Sequence, residues 1–398
     1  MLDNTVLVQQ KLDQAVAILN ELDIDVWMPF ARETMLTPDP SLDLILGLDM
    51  VWQSAFIITK GNRRIAIVGK HDAENVRNLG AYTNVIPYVE GIRDQLRSVL
   101  AELNPRQIAL NYSEDNVAAD GLTHGSMLTL RRYLGDTELP DRFISAEKII
   151  SALRGRKSPA EIERIQGAIR MTQFMFNQVG EFAAPGVSEL EIGRFVHDML
   201  SERGLGTAWD WNYCPTLTAG ADSPVGHVAP MPQYIVQPGS LLHIDFGVKQ
   251  DDYCADLQRV WYFRSDGETV PPEEVQRAFD AARMALLAGF DALRSGVEGW
   301  QVDQAARHAL VNAGYPEYQF AFGHHLGRVA HDGSTVLGPR WERYGDSPYG
   351  QIEAGNVFAI ELGVELPGHG YVGLEENVVI TEDGAEWLSE PQTELWVI

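Results

Sequence analysis

Two segments in the second half of the sequence have the pattern of β-hairpins, and each carries two carboxylates. In the first, residues 241–248 alternate apolar with polar or small side chains, and residues 253–263 continue as a strand after a short polar turn. Pairing the two residues that flank this turn would place Asp245 directly opposite Asp256. The same register turns the alternate side chains of both strands onto an apolar face, which is expected to pack on a core.

The two aspartates of this hairpin need compensation for their charge. Opposed side chains of antiparallel strands lie roughly 5 Å apart, where two carboxylates repel by about 3 kcal/mol at an effective dielectric constant of about 20. A shared proton or a nearby cation would relieve this repulsion. A divalent metal ion would favour both ionised forms and use their oxygens as ligands.

The second hairpin repeats this arrangement. Residues 357–366 and 371–381 flank a Pro-Gly-His turn, and Glu361 and Glu375 are nearly equidistant from it. One such hairpin is as compatible with solvated acids on a sheet surface as with a functional site. Two hairpins with apolar flanks instead predict four converging carboxylates in a buried site, because buried charges need partners.

The whole sequence divides into two predicted domains, and both hairpins lie in the second. In residues 1–152, helical and strand patterns alternate, and residues 53–59 and 64–68 flank a Gly-Asn turn in the manner of a hairpin. This domain has no recognisable catalytic motif. Residues 153–398 form the second domain, which opens with the N-cap Ser158 and a capping box.

The second domain has the pattern of an internal repeat. Gly186 and Gly204 bracket one helix, which opens with a second capping box at Ser188 and Glu191. Gly296 and Gly314 bracket a later helix with the same spacing. Each half then continues into strands and a carboxylate hairpin. The domain is therefore predicted to contain a duplicated helix-helix-hairpin unit.

Histidines near the hairpins extend the candidate site. Residues 323–327 read Gly-His-His-Leu-Gly, and His331 follows His324 by seven residues. Histidine is the usual nitrogen ligand of protein metal sites. A lone histidine is more often structural, but the four converging acids favour a ligand role for His324.

Taken together, these segments resemble the creatinase and methionine aminopeptidase superfamily, peptidase family M24, over roughly residues 153–398. The residues that match the metal ligands of that family are Asp245, Asp256, His324, Glu361 and Glu375. His331 matches a downstream active-site histidine, and His227 matches a substrate-binding histidine. The first domain matches more loosely the creatinase-type amino-terminal domain.

The resemblance implies an α/β protein in which a creatinase-type amino-terminal domain precedes a pita-bread α+β catalytic domain. The two-domain length is similar to that of Xaa-Pro dipeptidases, or prolidases, and of aminopeptidase P. It implies a hydrolase that cleaves Xaa-Pro dipeptides, with the leading domain restricting access to short peptides. A homodimer is expected, as is common in the family.

The resemblance also implies two divalent metal ions as cofactors. Mn²⁺ is expected, with Co²⁺, Zn²⁺ and Fe²⁺ as alternatives for this oxygen-rich set. Asp245, Asp256 and Glu375 would bind one ion, and Asp256, His324, Glu361 and Glu375 the other. Glu361 would also carry protons during catalysis.

Two further histidines receive roles from the same resemblance. His331 would hydrogen-bond the substrate carbonyl or the tetrahedral intermediate, and His227 would orient the substrate amide near the leaving nitrogen.

Three positions depart from the prolidase pattern and leave alternatives open. Gly373 stands where an arginine is common, Leu362 replaces a proline, and Phe320 replaces a histidine. A substrate carboxylate would then need another cation, and the candidates are Arg328, Arg340 and Arg343. The alternatives are an aminopeptidase P-type exopeptidase, a non-peptide amide or ring hydrolase or lyase, and a catalytically silent peptide-binding module.

The composition excludes other classes of partner. The 398 residues include 31 Lys and Arg against 56 Asp and Glu, a formal net charge of -25, so nucleic acid and anionic membranes would be repelled. Cys214 and Cys254 are too few for a disulfide scaffold and are expected to be reduced. No apolar stretch reaches membrane-spanning length, so we expect a cytoplasmic protein.

Overall fold

The chain divides into two compact units that both mix helices with strands. A computed structural model describes residues 4–226 and 228–398. The units are Met1–Arg154 and Gly155–Ile398. In the described part of the chain, no helix is long and apolar enough to cross a membrane.

The first unit is built on a mixed sheet. The helices are α1 (Thr5–Glu21), α2 (Leu42–Ile45), α3 (Ala73–Asn78), α4 (Arg93–Leu103), α5 (His124–Leu134) and α6 (Glu147–Gly155). The strands are β1 (Val26–Trp27), β2 (Phe30–Ala31), β3 (Ser54–Thr59), β4 (Arg64–Gly69), β5 (Asn84–Tyr88), β6 (Ile108–Leu110) and β7 (Phe143–Ser145). The strands lie in the sheet in the order β5-β4-β3-β1-β6-β7, with β2 paired to β3.

Apolar side chains cover both faces of this sheet. In β3, Phe56 and Ile58 join one buried cluster with α1, and Ile57 joins another with α4. This alternation follows from the period of two along a strand. The predicted hairpin around the Gly-Asn turn is confirmed by the antiparallel pairing of β3 with β4.

The second unit contains longer helices and a larger sheet. Its helices are α7 (Pro159–Phe182), α8 (Glu189–Arg203), α9 (Glu273–Ala292) and α10 (Gly299–Asn312). Its strands are β8 (Gly206–Thr207), β9 (Thr216–Ala219), β10 (Ser240–Phe246), β11 (Val248–Gln250), β12 (Tyr253–Cys254), β13 (Leu257–Phe263), β14 (Gly323–His325), β15 (Val336–Leu337), β16 (Val357–Leu366), β17 (Gly370–Ile380), β18 (Ala385–Trp387) and β19 (Trp396–Val397).

The sheet joins the two predicted hairpins. Its order is β15-β14-β16-β17-β13-β10-β9, with β18 on β17 and β19 on β13, while β12, β11 and β8 form a smaller sheet. Helices α7 and α8 precede the β10–β13 hairpin, and α9 and α10 precede the β16–β17 hairpin. The origin of this order in a duplication stays a prediction.

The predicted helix starts are confirmed. Ser158 accepts a hydrogen bond from the Glu161 backbone, and the Glu161 side chain accepts one from the Ser158 backbone. Ser188 and Glu191 form the same capping box at the start of α8. These reciprocal bonds satisfy backbone N–H groups that the first helical turn leaves free.

The first hairpin differs from the prediction by two residues. Asp245 pairs with Gln258 rather than with Asp256, and Gln250 pairs with Tyr253 at the turn. Side chains alternate with a period of two, so a shift by two residues leaves every side chain on its predicted face. The two aspartates therefore share a face as diagonal neighbours instead of opposed ones.

The turn itself explains the shift. Asp251 and Asp252 have φ values of 52° and 66°, so the turn needs only these two residues. The polar residues Lys249 and Gln250, which the sequence placed in the turn, extend strand β11 instead. Aspartate tolerates the left-handed region better than most residues do, which makes this short turn accessible.

A buried ion pair fixes the other face of the sheet. Arg259 and Glu376 are both about 2% exposed in their side chains, and the Arg259 guanidinium donates to Glu376 at 3.0 Å. Glu376 also accepts hydrogen bonds from the Ser389 hydroxyl and the Gln392 backbone. One carboxylate thereby ties β13 and β17 to the segment that follows β18.

We predict that Glu376→Gln destabilises the protein by about 3 kcal/mol, because it leaves the Arg259 charge buried without an opposite charge. Glu202→Gln is the matched control, since Glu202 is 74% exposed and lies 3.6 Å from Arg203. That variant should change the free energy of unfolding by less than about 1 kcal/mol. Urea unfolding of both variants measures the difference. Equal losses would show that the buried pair has no special role.

Candidate metal centre

The four predicted carboxylates meet at the centre of the large sheet. Glu361 in β16 pairs directly with Glu375 in β17. Gln258 in β13 pairs with Glu375 on one side and with Asp245 in β10 on the other. Paired residues point to the same face of a sheet, so the side chains of one row are, in order, Asp245, Gln258, Glu375 and Glu361. Asp256 lies on this face next to the row.

His324 completes the cluster from strand β14. Its Nε2 lies 3.8 Å from Asp256 Oδ2 and 3.9 Å from Glu375 Oε1. One ligand atom from each of Asp256, His324 and Glu375 lies within 4.8 Å of the others. This separation leaves room for an ion between the atoms that would bind it.

Hydrogen bonds orient the His324 ring toward the carboxylates. Its Nδ1 lies 3.1 Å from the Ala330 carbonyl oxygen and 3.2 Å from that of His325, so the Nδ1 hydrogen is donated there. Burial and the nearby His331 lower the His324 pKa to about 3. The ring is therefore neutral at pH 7, and its Nε2 lone pair is available as a ligand.

Burial raises the pKa of every carboxyl group in the cluster. For Asp245 the charge of Glu361 adds to the effect of burial, and for Asp256 the charges of Asp245 and Glu361 do so. Burial raises the pKa of Glu361 to about 7 and that of Glu375 further above its usual range. Without added positive charge, the cluster retains protons near neutral pH.

Two oxygen atoms of the cluster have unused hydrogen-bonding capacity. Asp245 Oδ1 and Glu375 Oε2 are buried and have no hydrogen-bond partner among residues 4–226 and 228–398. In this described part of the chain, no lysine or arginine forms an ion pair with the cluster carboxylates. A shared divalent cation fits these unpartnered oxygens, and carboxylates with one imidazole suit Mn²⁺ and related ions.

Two supporting residues were not predicted. Gln258 donates its Nε2 hydrogen to Glu361 Oε2 at 2.6 Å, which fixes the direction of that carboxylate. The Asn377 side chain accepts a hydrogen bond from the Asp256 backbone N–H and donates one to the Asp256 backbone carbonyl oxygen at 2.6 Å. The sequence signal for both is an amide side chain two residues after a predicted ligand, since Gln258 follows Asp256 and Asn377 follows Glu375 at that spacing.

The two further histidines of the prediction have different outcomes. His331 lies in the loop between β14 and β15, and its ring centroid is 4.3 Å from that of His324. It is exposed toward the cavities on both sides of the cluster. His227 lies outside the described residues, so its role stays a prediction.

Two cavities meet at the cluster. One has a volume of about 460 Å³ and includes four aromatic side chains, Tyr318, Phe320, Tyr344 and Tyr371. The other has a volume of about 450 Å³ and includes Trp209, Asp210 and Tyr213. Asp245, His324, His331 and Glu361 line both cavities. A ligand that spans the two would therefore pass directly over the carboxylates.

The candidate cations for a substrate carboxylate lie outside the walls of these cavities. Arg328 lies over the Tyr253 ring, and Arg340 lies over Trp300. Arg343 is nearer, because it stacks on Phe320 and donates to the Tyr344 hydroxyl, and both of those residues line the larger cavity. No lysine or arginine is among the described residues that line either cavity around the cluster.

Solved structures with a similar fold cover almost all of the chain. An Xaa-Pro dipeptidase from Bacillus anthracis is 20% identical with a TM-score of 0.75, and the match covers 98% of this chain and 100% of that one. An X-Pro aminopeptidase from Thermotoga maritima is 22% identical with a TM-score of 0.71, covering 97% and 99%. The fold is accordingly the mixed α/β architecture of these enzymes, with a pita-bread second unit.

Sequence relatives agree with this fold. An uncharacterized peptidase from Staphylococcus haemolyticus is 25% identical over 337 residues, which is 84% of this chain and 87% of that protein. An Xaa-Pro dipeptidase from Lactobacillus helveticus is 27% identical over 251 residues, or 63% of this chain and 64% of that protein. The model of metallopeptidase family M24 matches residues 163–382, more than half of the chain. The carboxylate hairpins and their histidine thus lie within the matched region, and the protein belongs to metallopeptidase family M24.

Proposed function

We propose that this M24 metallopeptidase holds two divalent metal ions and hydrolyses Xaa-Pro peptide bonds. The observation that supports this most directly is the meeting of four carboxylates and a neutral His324 between two cavities, with buried carboxylate oxygens that have no hydrogen-bond partner among residues 4–226 and 228–398. Relatives named Xaa-Pro dipeptidase support the choice of substrate.

The proposed ligands are those expected from the sequence. Asp245, Asp256 and Glu375 would hold one ion, and His324 and Glu361 would complete the other together with Asp256 and Glu375. Such ions activate water and polarise the scissile carbonyl. Mn²⁺ is the proposed metal because oxygen ligands predominate.

The side chains around the cluster have roles of their own. Gln258 donates to Glu361 Oε2 and so fixes the direction of this carboxylate, which is proposed to transfer protons during catalysis. His331 lies beside His324 at the junction of the two cavities, where it would donate a hydrogen bond to the substrate carbonyl. His227 is proposed to orient the leaving nitrogen.

The two cavities differ in a way that suits the two ends of an Xaa-Pro substrate. Asp210 makes the smaller cavity acidic beyond the cluster itself, which favours the substrate ammonium group. The aromatic rings of the larger cavity fit the apolar pyrrolidine ring of proline. Proline also lacks an amide N–H, so its site needs no acceptor for one.

The group that follows proline distinguishes the two forms of this activity. A dipeptidase must bind a carboxylate there, and Arg343 at the rim of the larger cavity is the candidate partner. An aminopeptidase P-type enzyme binds a continuing peptide instead, and the absence of lysine and arginine from the described cavity lining favours this alternative.

Two variants should distinguish residues that bind metal from residues that act only in catalysis. We predict that Asp256→Asn loses both Mn²⁺ and activity, because it removes a charge proposed to hold both ions. His331→Ala should keep the metal and lose about a hundredfold in turnover, or about 2.7 kcal/mol of transition-state stabilisation. Metal content by elemental analysis and turnover on one substrate test both. Full metal occupancy in Asp256→Asn, or undiminished turnover in His331→Ala, would contradict the assigned role.

Metal affinity should increase with pH. Glu361 has a pKa raised to about 7, so at lower pH it retains a proton that must leave before a metal can bind. We expect Mn²⁺ to bind more tightly at about pH 8 than at about pH 6, with fewer protons released at the higher pH. Calorimetric titration measures both quantities. Glu361→Gln should reduce the pH dependence without abolishing it, because the pKa values of Asp245, Asp256 and Glu375 are raised as well. An unchanged slope would show that the released protons come from those groups and not from Glu361.

Xaa-Pro substrates should be cleaved faster than matching Xaa-Ala substrates. A site shaped for the fixed φ of proline and its missing N–H discriminates by both geometry and hydrogen bonding. Assays of Ala-Pro, Ala-Ala and their longer versions with Mn²⁺ measure the preference. Equal rates would refute selectivity for proline. No turnover with two ions bound would favour a non-peptide hydrolase or lyase, and no bound metal would favour a silent binding module.

A further inference from the structure

One corner of the larger cavity contains two buried polar atoms with unused hydrogen-bonding capacity. Thr218 in β9 pairs directly with His243 in β10, so their side chains lie on the same face. Both residues line the cavity, although Thr218 is only 1% and His243 only 4% exposed. Thr218 Oγ1 and His243 Nδ1 have no hydrogen-bond partner in residues 4–226 and 228–398.

The hydrogen-bonding role of His243 is set by its neighbours. The Gln258 amide nitrogen donates to Glu361 Oε2, so Gln258 Oε1 faces His243. His243 Nε2 lies 2.9 Å from that oxygen and therefore carries the ring hydrogen. A neutral imidazole has one such hydrogen, which leaves Nδ1 as an acceptor.

Gly373 has no side chain, which leaves room for the His243 ring. A Cβ atom at Gly373 would overlap both the His243 ring and Gln258 Oε1, so a side chain at this position would displace the pair. Tyr371 packs edge-on against the ring with centroids 4.9 Å apart. His243, Gln258 and Gly373 therefore form one arrangement, in which no lysine or arginine takes part.

An amide group complements this corner better than a carboxylate does. The Thr218 hydroxyl can donate to an amide carbonyl oxygen, and His243 Nδ1 can accept from the amide N–H. A carboxylate offers only acceptors and would face the Nδ1 lone pair. Leaving a buried donor or acceptor unpaired costs about 1–3 kcal/mol, so satisfying both atoms favours the amide.

We propose that Thr218 and His243 bind the amide that follows proline, so the preferred substrates are Xaa-Pro peptides that continue beyond proline or end in a carboxamide. This inference rests on the proposed Xaa-Pro activity and specifies its substrate class. Thr218 and His243 are specificity residues, since they contact the end of the substrate distant from the scissile bond.

The test compares two substrates that differ only at the carboxyl end, Ala-Pro-NH₂ and Ala-Pro. With Mn²⁺ bound, the unmodified protein should cleave the amide with a kcat/KM at least about tenfold higher. Thr218→Val keeps the shape of the side chain and removes its hydroxyl, so it should bring this ratio close to one. A preference for Ala-Pro, or an unchanged ratio in Thr218→Val, would overturn the proposal.

Thr216→Val is the matched control. Thr216 lies in the same strand and lines the same cavity, but its hydroxyl already donates to the Tyr213 carbonyl oxygen at 3.0 Å. Whatever its effect on rate, this variant should retain the preference for the amide. Loss of the preference in both variants would mean that any change in β9 disturbs the site, which contradicts a specific role for Thr218.

Binding measurements separate this proposal from the proposed function. Calorimetry with the Mn²⁺-loaded protein should detect tighter binding of prolinamide than of proline, and Thr218→Val should remove the difference. If neither peptide is cleaved but prolinamide still binds more tightly through Thr218, the assigned reaction is wrong and the amide site stands. If Ala-Pro is cleaved and proline binds as well as prolinamide, the reaction stands and the amide site is wrong.

Discussion

Mutual repulsion among carboxylates that are withdrawn from water is the constraint on which the second unit depends. Asp245 and Asp256 come from one hairpin, and Glu361 and Glu375 come from a second hairpin much later in the sequence. Burial raises the pKa of each carboxyl group. An uncompensated cluster of this kind opposes folding, because desolvation and repulsion both act against the charged forms. Its persistence is understandable only if the rest of the sheet is strong enough to hold it and a cation offsets its charge.

The structure meets this constraint on both faces of the sheet. On the opposite face, apolar side chains and the Arg259–Glu376 pair anchor the strands that carry the acids. Around the acids, Gln258 fixes the direction of Glu361, and Asn377 takes the place of a strand partner for the Asp256 backbone. The carboxylates are thus held in position by bonds that leave some of their own oxygens free.

A side chain that orients the acids also helps to form the wall of the larger cavity. Gln258 connects the Glu361 carboxylate to His243, and Gly373 leaves the space that the His243 ring needs. A substitution at one of these positions would therefore affect the others. Two hydrogen bonds, from His243 to Gln258 and from Gln258 to Glu361, connect the cavity wall to a proposed metal ligand. The proposed substrate preference is thereby linked to the metal site.

The sequence by itself determined the helix starts, the two hairpins and the face on which each acid lies. These are local properties, since capping boxes and the period of two depend on residues close together in the chain. The exact pairing of the first hairpin was wrong, because the positive φ values of Asp251 and Asp252 shorten the turn without changing the alternation. Even so, the alternation kept Asp245 and Asp256 on one face.

Only the tertiary structure decided which distant residues support the site. The position of Asn377 beside Asp256, and that of Gln258 between Asp245 and Glu375, depend on pairing between strands from different hairpins. Thr218 Oγ1 and His243 Nδ1, which have no hydrogen-bond partner among the described residues, likewise come together only when β9 lies against β10. Such contacts follow from the register and curvature of a whole sheet, to which each segment of sequence contributes only a part.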